Sequence, residues 1–290
     1  MESEQNRIIS AKEKPFVSVI IPSLDGYRQG NVLNLLKALK DQTISDIELI
    51  MIIGEKPCAR AHNAGADKAH GEILVFFDDD IILGNNRVIE NLIGPVINDD
   101  SIGISGASQL VPPDANRFQK RCAEQLGRLQ FRIVGKITDS DMATHAAMAI
   151  RKDVYIQVGQ ENENLIYGDD PDLRARVRKA GYRIVVVPDT WVFHPPPDNW
   201  RILVKTAFQR GKGAAVDFWF HPDSVYDTPP GDVADFTSRH SFPYRVVRAF
   251  GQICRAVLGF RMILISVRIL YGLGYALSLS ALILRIRRNN

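Results

Sequence analysis

The chain has 290 residues, 46% hydrophobic and 24% charged, the make-up of an ordinary folded protein, which excludes wholesale disorder. Its net charge of +3 argues against a dedicated nucleic-acid binder, but the total is uneven. Residues 241–290 hold eight arginines and neither lysine nor acid, so residues 1–240 carry a net −5. Three well-separated cysteines, Cys58, Cys122 and Cys254, offer neither a disulfide framework nor a paired-cysteine zinc site and point to a reducing compartment. Residues 1–14 are polar and lack the apolar core of a secretory signal.

From Phe16 onward, short apolar runs alternate with segments of helical period, the pattern of an α/β fold. Residues 16–21 (FVSVII) predict a buried strand that stops at Pro22. Val32, Leu35, Leu36 and Leu39 recur at helical spacing, and residues 48–53 (ELIMII) read as a second strand. Pro57 opens the next helix, with His70 and Gly71 as its stop and His62 and His70 as surface positions. Residues 73–77 (ILVFF) are a third buried strand. Val88, Ile89, Leu92 and Ile93 predict an amphipathic helix, and residues 102–105 a short strand. A helix around residues 115–131 and a strand near 146–150 follow. Asp170 and Pro171 open a helix with Leu173, Val177 and Ala180 on one face, ended by Gly181. Residues 184–187 and 190–194 read as extended segments, and residues 195–197 are a rigid triple proline.

Asp78, Asp79 and Asp80 follow the third strand at its carboxyl end, where ligands bind in open α/β sheets. Alternate residues of an extended segment face opposite sides, so Asp78 and Asp80 share one side and Asp79 takes the other. Two carboxylates on one side favour a hard divalent cation, Mn²⁺ or Mg²⁺, which completes its shell with water and substrate phosphate. A diphosphate-bearing substrate follows from that chemistry.

Five segments in order, residues 17–25 (VSVIIPSLD), 60–81 (RAHNAGADKAHGEILVFFDDDI), 146–159 (AAMAIRKDVYIQVG), 167–188 (YGDDPDLRARVRKAGYRIVVVP) and 192–194 (VFH), resemble family 2 glycosyltransferases of the GT-A fold. The resemblance spans about residues 17–217. It implies a Rossmann-like mixed sheet flanked by helices, a nucleotide-diphospho-sugar donor, a divalent metal and inversion at the anomeric carbon. By position it places Asp80, Asp78 and His194 at the metal, and Pro22, Ser23, Asp25, Arg60, Asn63, Asp78 and Asp79 on the donor side. The acid pair ahead of the second-half helix is Asp169 and Asp170, with Asp170 where the base is often assigned. Asp170 is also a good helix N-cap ahead of Pro171, which makes Asp169 the alternative base. Such a carboxylate takes the proton of a sugar hydroxyl as the new bond forms, while a metal neutralises the departing diphosphate. The chain departs from the family pattern at residues 53–55, where an acid that reads the nucleobase is usual, and at residues 145–147.

Residues 200–220, aromatic and basic, resemble the segment that flanks acceptor and donor diphosphate in related enzymes; a helix packed on the domain is the alternative reading. Farther on, Arg245, Arg248 and Arg255 share one helical face and Arg261 and Arg268 another, with apolar residues opposite. Such helices lie in the bilayer interface with their cations toward anionic headgroups. The uncharged residues 269–284 make about 24 Å of helix, short of a hydrocarbon core of about 30 Å. The expected organisation is therefore a polar arm (1–15), a GT-A α/β catalytic domain (16–220), a linker (221–242) and a membrane-associating helical tail (243–290). The expected activity is metal-dependent sugar transfer to a hydroxyl of a glycan or lipid-linked acceptor, in cell-surface polysaccharide or glycolipid assembly. It would take place at the cytoplasmic face of a membrane, with monotopic attachment favoured over one short crossing. A polyprenyl-phosphate acceptor, or a non-catalytic membrane-docked nucleotide-sugar-binding module, are the alternatives.

Overall fold

The structure, a computed structural model, describes residues 7–10, 15–127, 129–227 and 236–289, so parts of the expected arm and linker lie outside the described residues. Its first half runs β1 (Arg7–Ser10), β2 (Val17–Ser23), α1 (Asn31–Lys40), β3 (Ile47–Ile53), α2 (Cys58–Lys68), β4 (Ile73–Phe77), β5 (Ile82–Leu83) and α3 (Val88–Asn98). The second half continues with β6 (Ile102–Leu110), α4 (Arg117–Gln125), β7 (Thr138–Asp139), β8 (Ala147–Arg151), α5 (Lys152–Gln157), α6 (Asp169–Lys179) and β9 (Arg183–Phe193). Three long helices close the described chain: α7 (Trp200–Phe220), α8 (Phe242–Leu258) and α9 (Met262–Asn289).

The described strands form one mixed sheet in the order β1-β3-β2-β4-β8-β6-β9-β5, with β7 added on β9. The strands β3, β2 and β4 are mutually parallel, as are β6 and β9, and β8 runs antiparallel between β4 and β6. Because side chains alternate along a strand, β2 sends Val17 and Val19 to one core and Ile20 to the other. On the first face α1 and α3 bury Leu35, Leu39, Val88 and Leu92; on the second α2, α5 and α6 bury Ala61, Ala66, Tyr155, Leu173 and Val177. All five residues of β4 are buried, as a strand covered on both faces requires.

Several boundaries differ from the sequence reading for identifiable reasons. Strand β2 runs through Pro22 to Ser23; its pairing with β4 stops at Ile20, so a missing N–H beyond that point disrupts no ladder on that side. Strand β6 is nine residues long, although its segment (IGISGASQL) is rich in small and polar residues that rank low as strand formers. Close packing accounts for them: a Cβ on Gly106 would sit 2.5 Å from the Ala143 Cβ. The two extended segments on either side of Pro188 are one strand, β9, with Asp189 at φ 51° where the register against β6 slips. Helix α4 is shorter than expected and starts at a capping box between Asn116 and Gln119. Ala180 is exposed at the end of α6, where Gly181 takes φ +95°.

Helix α9 packs along α7. The two backbones approach closely where both carry glycine: a Cβ on Gly211 would meet the Tyr271 carbonyl oxygen at 2.0 Å, and one on Gly274 the Phe208 carbonyl at 2.2 Å. Ile263 also fills a small core with Leu203 and Cys122, and Gln125 accepts from the backbone N–H of Ile263 at 3.0 Å. Residues 262–284 are long and apolar enough to cross a bilayer, a longer stretch than the uncharged run alone suggested. One face is nevertheless committed to α7, a helix carrying Arg201, Lys205, Arg210 and Lys212.

Candidate active site

The carboxyl ends of β2 and β4 lie side by side and deliver the first group of polar residues. Pro22 and Ser23 end β2, and Asp25 accepts from the backbone N–H of Tyr27 (2.9 Å) and Arg28 (2.8 Å), which turns the following loop. The Ser23 hydroxyl donates to Asp79 at 2.6 Å, latching that loop to the acidic segment. Asp79 and Asp80 lie in a turn beyond β4, and Arg28 reaches both, so Asp79 does not take a side wholly its own as the expected alternation had it.

Asp78 and Asp80 meet His194, which follows directly after β9. The His194 Nε2 lies 3.2 Å from Asp80 Oδ1 and 3.7 Å from Asp78 Oδ2, and one donor atom from each of the three falls within 4.8 Å of the others. Burial pushes the Asp78 carboxyl up to about 6. Burial acts in the same sense on Asp80, but His194 and Arg28 outweigh it and hold that carboxyl at about 2. Burial opposes charge on His194, yet Asp80 and Asp78 raise its proton affinity above the ordinary value, while the Arg210 charge on α7 counteracts them. Two carboxylates and one imidazole suit a divalent metal ion of the Mn²⁺ or Mg²⁺ kind. Arg28 is a member of this group that sequence reasoning missed: its guanidinium is 2.6 Å from Asp80 and 3.6 Å from Asp79.

A divalent ion held by these three side chains would need the carboxylates ionised and His194 neutral, so protons would compete with it. Mn²⁺ affinity measured by calorimetry is expected to weaken at least about tenfold between pH 7 and pH 5, as Asp78 and His194 take up protons. Equal affinity at both values would contradict this ligand set.

The second acidic group opens α6. Gly168 is the N-cap, so Asp169 and Asp170 lie within the first turn, and Asp170 makes no capping hydrogen bond; the N-cap reading of Asp170 is corrected. Instead Asp170 Oδ1 is 2.7 Å from His145 Nδ1, accepts from the His145 backbone N–H at 3.2 Å, and lies 3.4 Å from the Arg174 guanidinium. The second ring nitrogen of His145, Nε2, is 2.7 Å from Glu161 Oε1. His62 stacks on His145 with ring centroids 4.1 Å apart and planes 16° from parallel. His62 is 1% exposed, which corrects its reading as a surface position.

Asn63 is bound on every side within the chain: it accepts from the Tyr155 hydroxyl (2.8 Å) and the Glu161 N–H (2.9 Å), and donates to the Glu161 carbonyl (3.0 Å) and Glu163 (2.9 Å). Its amide ties α2 to the 161–163 segment rather than offering a free group to a nucleotide. Arg60 is half exposed and 3.5 Å from Glu163. The Cys58 thiol at the start of α2 feels Asp78 as well as Asp169, Asp170 and Glu161, and burial together with those charges pushes it up. The charge of Asp170 acts on Asp78, so the two acidic groups lie near one another.

His145, Glu161 and Arg174 belong to this cluster and were not singled out as a unit from the sequence. Arg174 had one local signal, its i, i+4 spacing from Asp170. His62, His145 and Glu161 come from separate elements and meet only in the fold.

A mixed α/β sheet with a carboxylate–histidine group that could hold a metal ion, and a second acid pair near it, has the make-up of a metal-assisted enzyme. The family model described as "Glycosyltransferase like family 2" matches residues 9–213, and the chain belongs to that family: it is a family 2 glycosyltransferase. It is similar to the glycosyltransferase AglE of Haloferax volcanii, at 25% identity over 234 residues, covering 71% of this chain and 74% of that protein. Among solved structures it resembles the mannosyltransferase PcManGT from Pyrobaculum calidifontis in complex with GDP-Man and Mn²⁺. The TM-score is 0.56 at 14% identity, over 92% of this chain and 88% of that one. GalNAc-T7 with UDP, GalNAc and Mn²⁺ is similar at a TM-score of 0.51 and 14% identity, over 77% of this chain and 53% of that one. These likenesses establish the GT-A fold.

Proposed function

We propose that the cleft transfers a sugar, with inversion, from a nucleotide-diphospho-sugar to a hydroxyl of a glycan or lipid-linked acceptor held at a membrane surface. The observation that carries this reading is the nearness of two acidic groups, one suited to a metal and one to a proton. The PcManGT complex, which holds GDP-Man and Mn²⁺ on the same fold, supports a nucleotide-sugar donor and a divalent ion.

In this reading Asp78, Asp80 and His194 hold Mn²⁺ or Mg²⁺, which supplies Lewis-acid neutralisation of the leaving diphosphate. The Ser23–Asp79 latch and the Asp25 turn fix the loop beside the nucleotide, with Arg60 at the outer edge of the donor side. Arg28, freed from Asp80, is a second cation within reach of the phosphates. Asp169 and Asp170 supply the base: a sugar hydroxyl is a poor nucleophile, and a carboxylate that takes its proton as the bond forms raises the rate by about 10²–10⁴.

The catalytic domain is assigned to residues 16–220 and the membrane-associating tail to residues 243–290. Support for the tail comes from Val247, Phe250 and Val257, which recur on one exposed face of α8, and from Leu258 and Phe260 at the turn into α9. Arg245 departs from the expected stripe: it donates to Asp227 (3.0 Å) and the Val225 carbonyl (2.9 Å), so it anchors the helix to the body. Attachment along the cytoplasmic surface fits α9 better than a full crossing, since α9 lies against the charged helix α7. A lipid-linked acceptor for cell-surface polysaccharide or glycolipid assembly then shares that surface with the enzyme.

A thermal-shift screen of nucleotide-sugars with and without Mn²⁺ tests the reading. One donor class at a concentration near 100 times its Kd is expected to raise Tm by about 5 °C, only with the ion present, given a binding stabilisation of about 2.7 kcal/mol. No metal-dependent shift with any nucleotide would overturn it.

A further inference from the structure

We propose that Arg28 couples the divalent ion to the donor: its guanidinium holds Asp79 and Asp80 until a nucleotide diphosphate claims it, so that ion and nucleotide bind tightly only together. This rests on the transfer reading above and deepens it.

The backbone sets Arg28 in place. It lies in the turn after β2, where Asp25 accepts from the peptide N–H groups of both Tyr27 and Arg28, at 2.9 and 2.8 Å. Arg28 has φ 44° and Gln29 φ 57°, left-handed values that residues with side chains seldom adopt, and Gly30 completes the run at φ 93°. The Gly30 N–H closes the turn on the Tyr27 carbonyl at 2.9 Å. Such a backbone persists only where its surroundings impose it. Here they fix the origin of the Arg28 side chain opposite the acidic segment.

The guanidinium spans two carboxylates. Its Nη2 donates to Asp80 Oδ2 at 2.6 Å, and its Nε lies 3.6 Å from Asp79 Oδ1. Ser23 holds the other oxygen of Asp79 at 2.6 Å. On Asp80 the two oxygens are divided: Oδ2 faces Arg28, and Oδ1 faces His194 at 3.2 Å. The charge of Asp78 acts on Arg28 as well. A cation of the chain itself thus draws on the acids that would hold a metal ion, and a second cation brought beside it is repelled. A divalent ion arriving alone meets a group whose negative charge is already partly used.

The three side chains differ in how firmly they are held. Those of Asp79 and Asp80 are 11% and 14% exposed, whereas that of Arg28 is 49% exposed. The carboxylates belong to the body of the protein, and the guanidinium covers them from the solvent side. An ion pair with so exposed a partner is weak. A diphosphate offers the planar guanidinium a bidentate partner with more negative charge than one carboxylate. Its transfer to the diphosphate releases Asp80 Oδ2 and removes the repulsion on the ion, and the ion in turn offsets the charge of the diphosphate. Each ligand improves the site for the other, by the same factor in both directions.

Calorimetric titration of Mn²⁺ into the full chain and into Arg28→Gln at pH 7.5, without nucleotide and then with saturating GDP or UDP, tests the coupling. Without nucleotide, Arg28→Gln should bind Mn²⁺ about tenfold more tightly than the wild type, and with nucleotide the two affinities should converge. A damaged fold cannot produce a gain in affinity, so the sign separates coupling from a structural role. Arg28→Lys keeps a cation at this position and should bind the bare ion about as weakly as the wild type. Mn²⁺ binding by Arg28→Gln that is equal to or weaker than wild type makes Arg28 a structural latch and overturns the proposal, with the transfer reading left standing. A wild-type chain that binds no Mn²⁺, with or without nucleotide, removes the metal reading itself and this coupling with it.

Discussion

Replacing Asp80 with alanine is expected to abolish the Mn²⁺-dependent stabilisation by nucleotide-sugar and to lower transfer by about 10³-fold or more. Asp80 is the most strongly ionised of the three clustered residues and lies 3.2 Å from His194. Its loss leaves one carboxylate and one imidazole, a weak site for a hard cation. Lewis-acid neutralisation of a leaving group is worth several kcal/mol, and about 1.4 kcal/mol corresponds to a factor of ten in rate. The same substitution also leaves Arg28 with Asp79 alone, so overall stability should change little. Full activity in Asp80→Ala with Mn²⁺ dependence intact would show that the ion is held elsewhere.

The triple substitution Phe250→Glu, Leu258→Glu and Phe260→Glu is expected to reduce pelleting with anionic vesicles by about 10²-fold or more while leaving the fold intact. The three side chains are 67%, 81% and 86% exposed, so the body does not use them. Burying such a side chain in an apolar phase contributes about 1.5–3 kcal/mol, and three partial burials exceed the roughly 2.8 kcal/mol that the change requires. Deleting the tail is a poorer experiment, because it would uncover α7 where Gly211 meets Tyr271 and would open the core around Leu203 and Ile263. Undiminished pelleting of the triple variant would remove the membrane assignment of this face.

The parts of the fold that could be read from the sequence are those where one physical signal dominates. The strand at residues 73–77 was legible to the residue because a strand buried on both faces leaves an unbroken apolar run. The helix of Val88, Ile89, Leu92 and Ile93 was legible because all four face the core. Strand β6 was half hidden, since its glycines and serines are chosen for close packing against neighbours that only the fold supplies. Strand β9 was split by a proline and a left-handed aspartate that bend it without ending it.

The candidate site divides in the same way. Asp78, Asp79 and Asp80 are contiguous and directly follow a legible strand, and His194 lies beside Asp78 and Asp80. His62, His145 and Glu161 each look bland in their own segment: two histidines that could face solvent and one acid in a polar loop. Their meeting depends on α2, the turn before β8 and the loop before α6 coming together, a tertiary fact with no local signature. Arg28 was invisible for the same reason, since its role is set by the turn that Asp25 builds.

In the proposed reading a metal-bound donor and a carboxylate base act together in a single displacement. Proton NMR of the first product formed from an α-linked nucleotide-sugar, with and without Mn²⁺, tests it most directly. Single displacement gives a β-linked product, recognised by its one-bond C1–H1 coupling and formed only when the ion is present; an α-linked product, or equal transfer in EDTA, would contradict it.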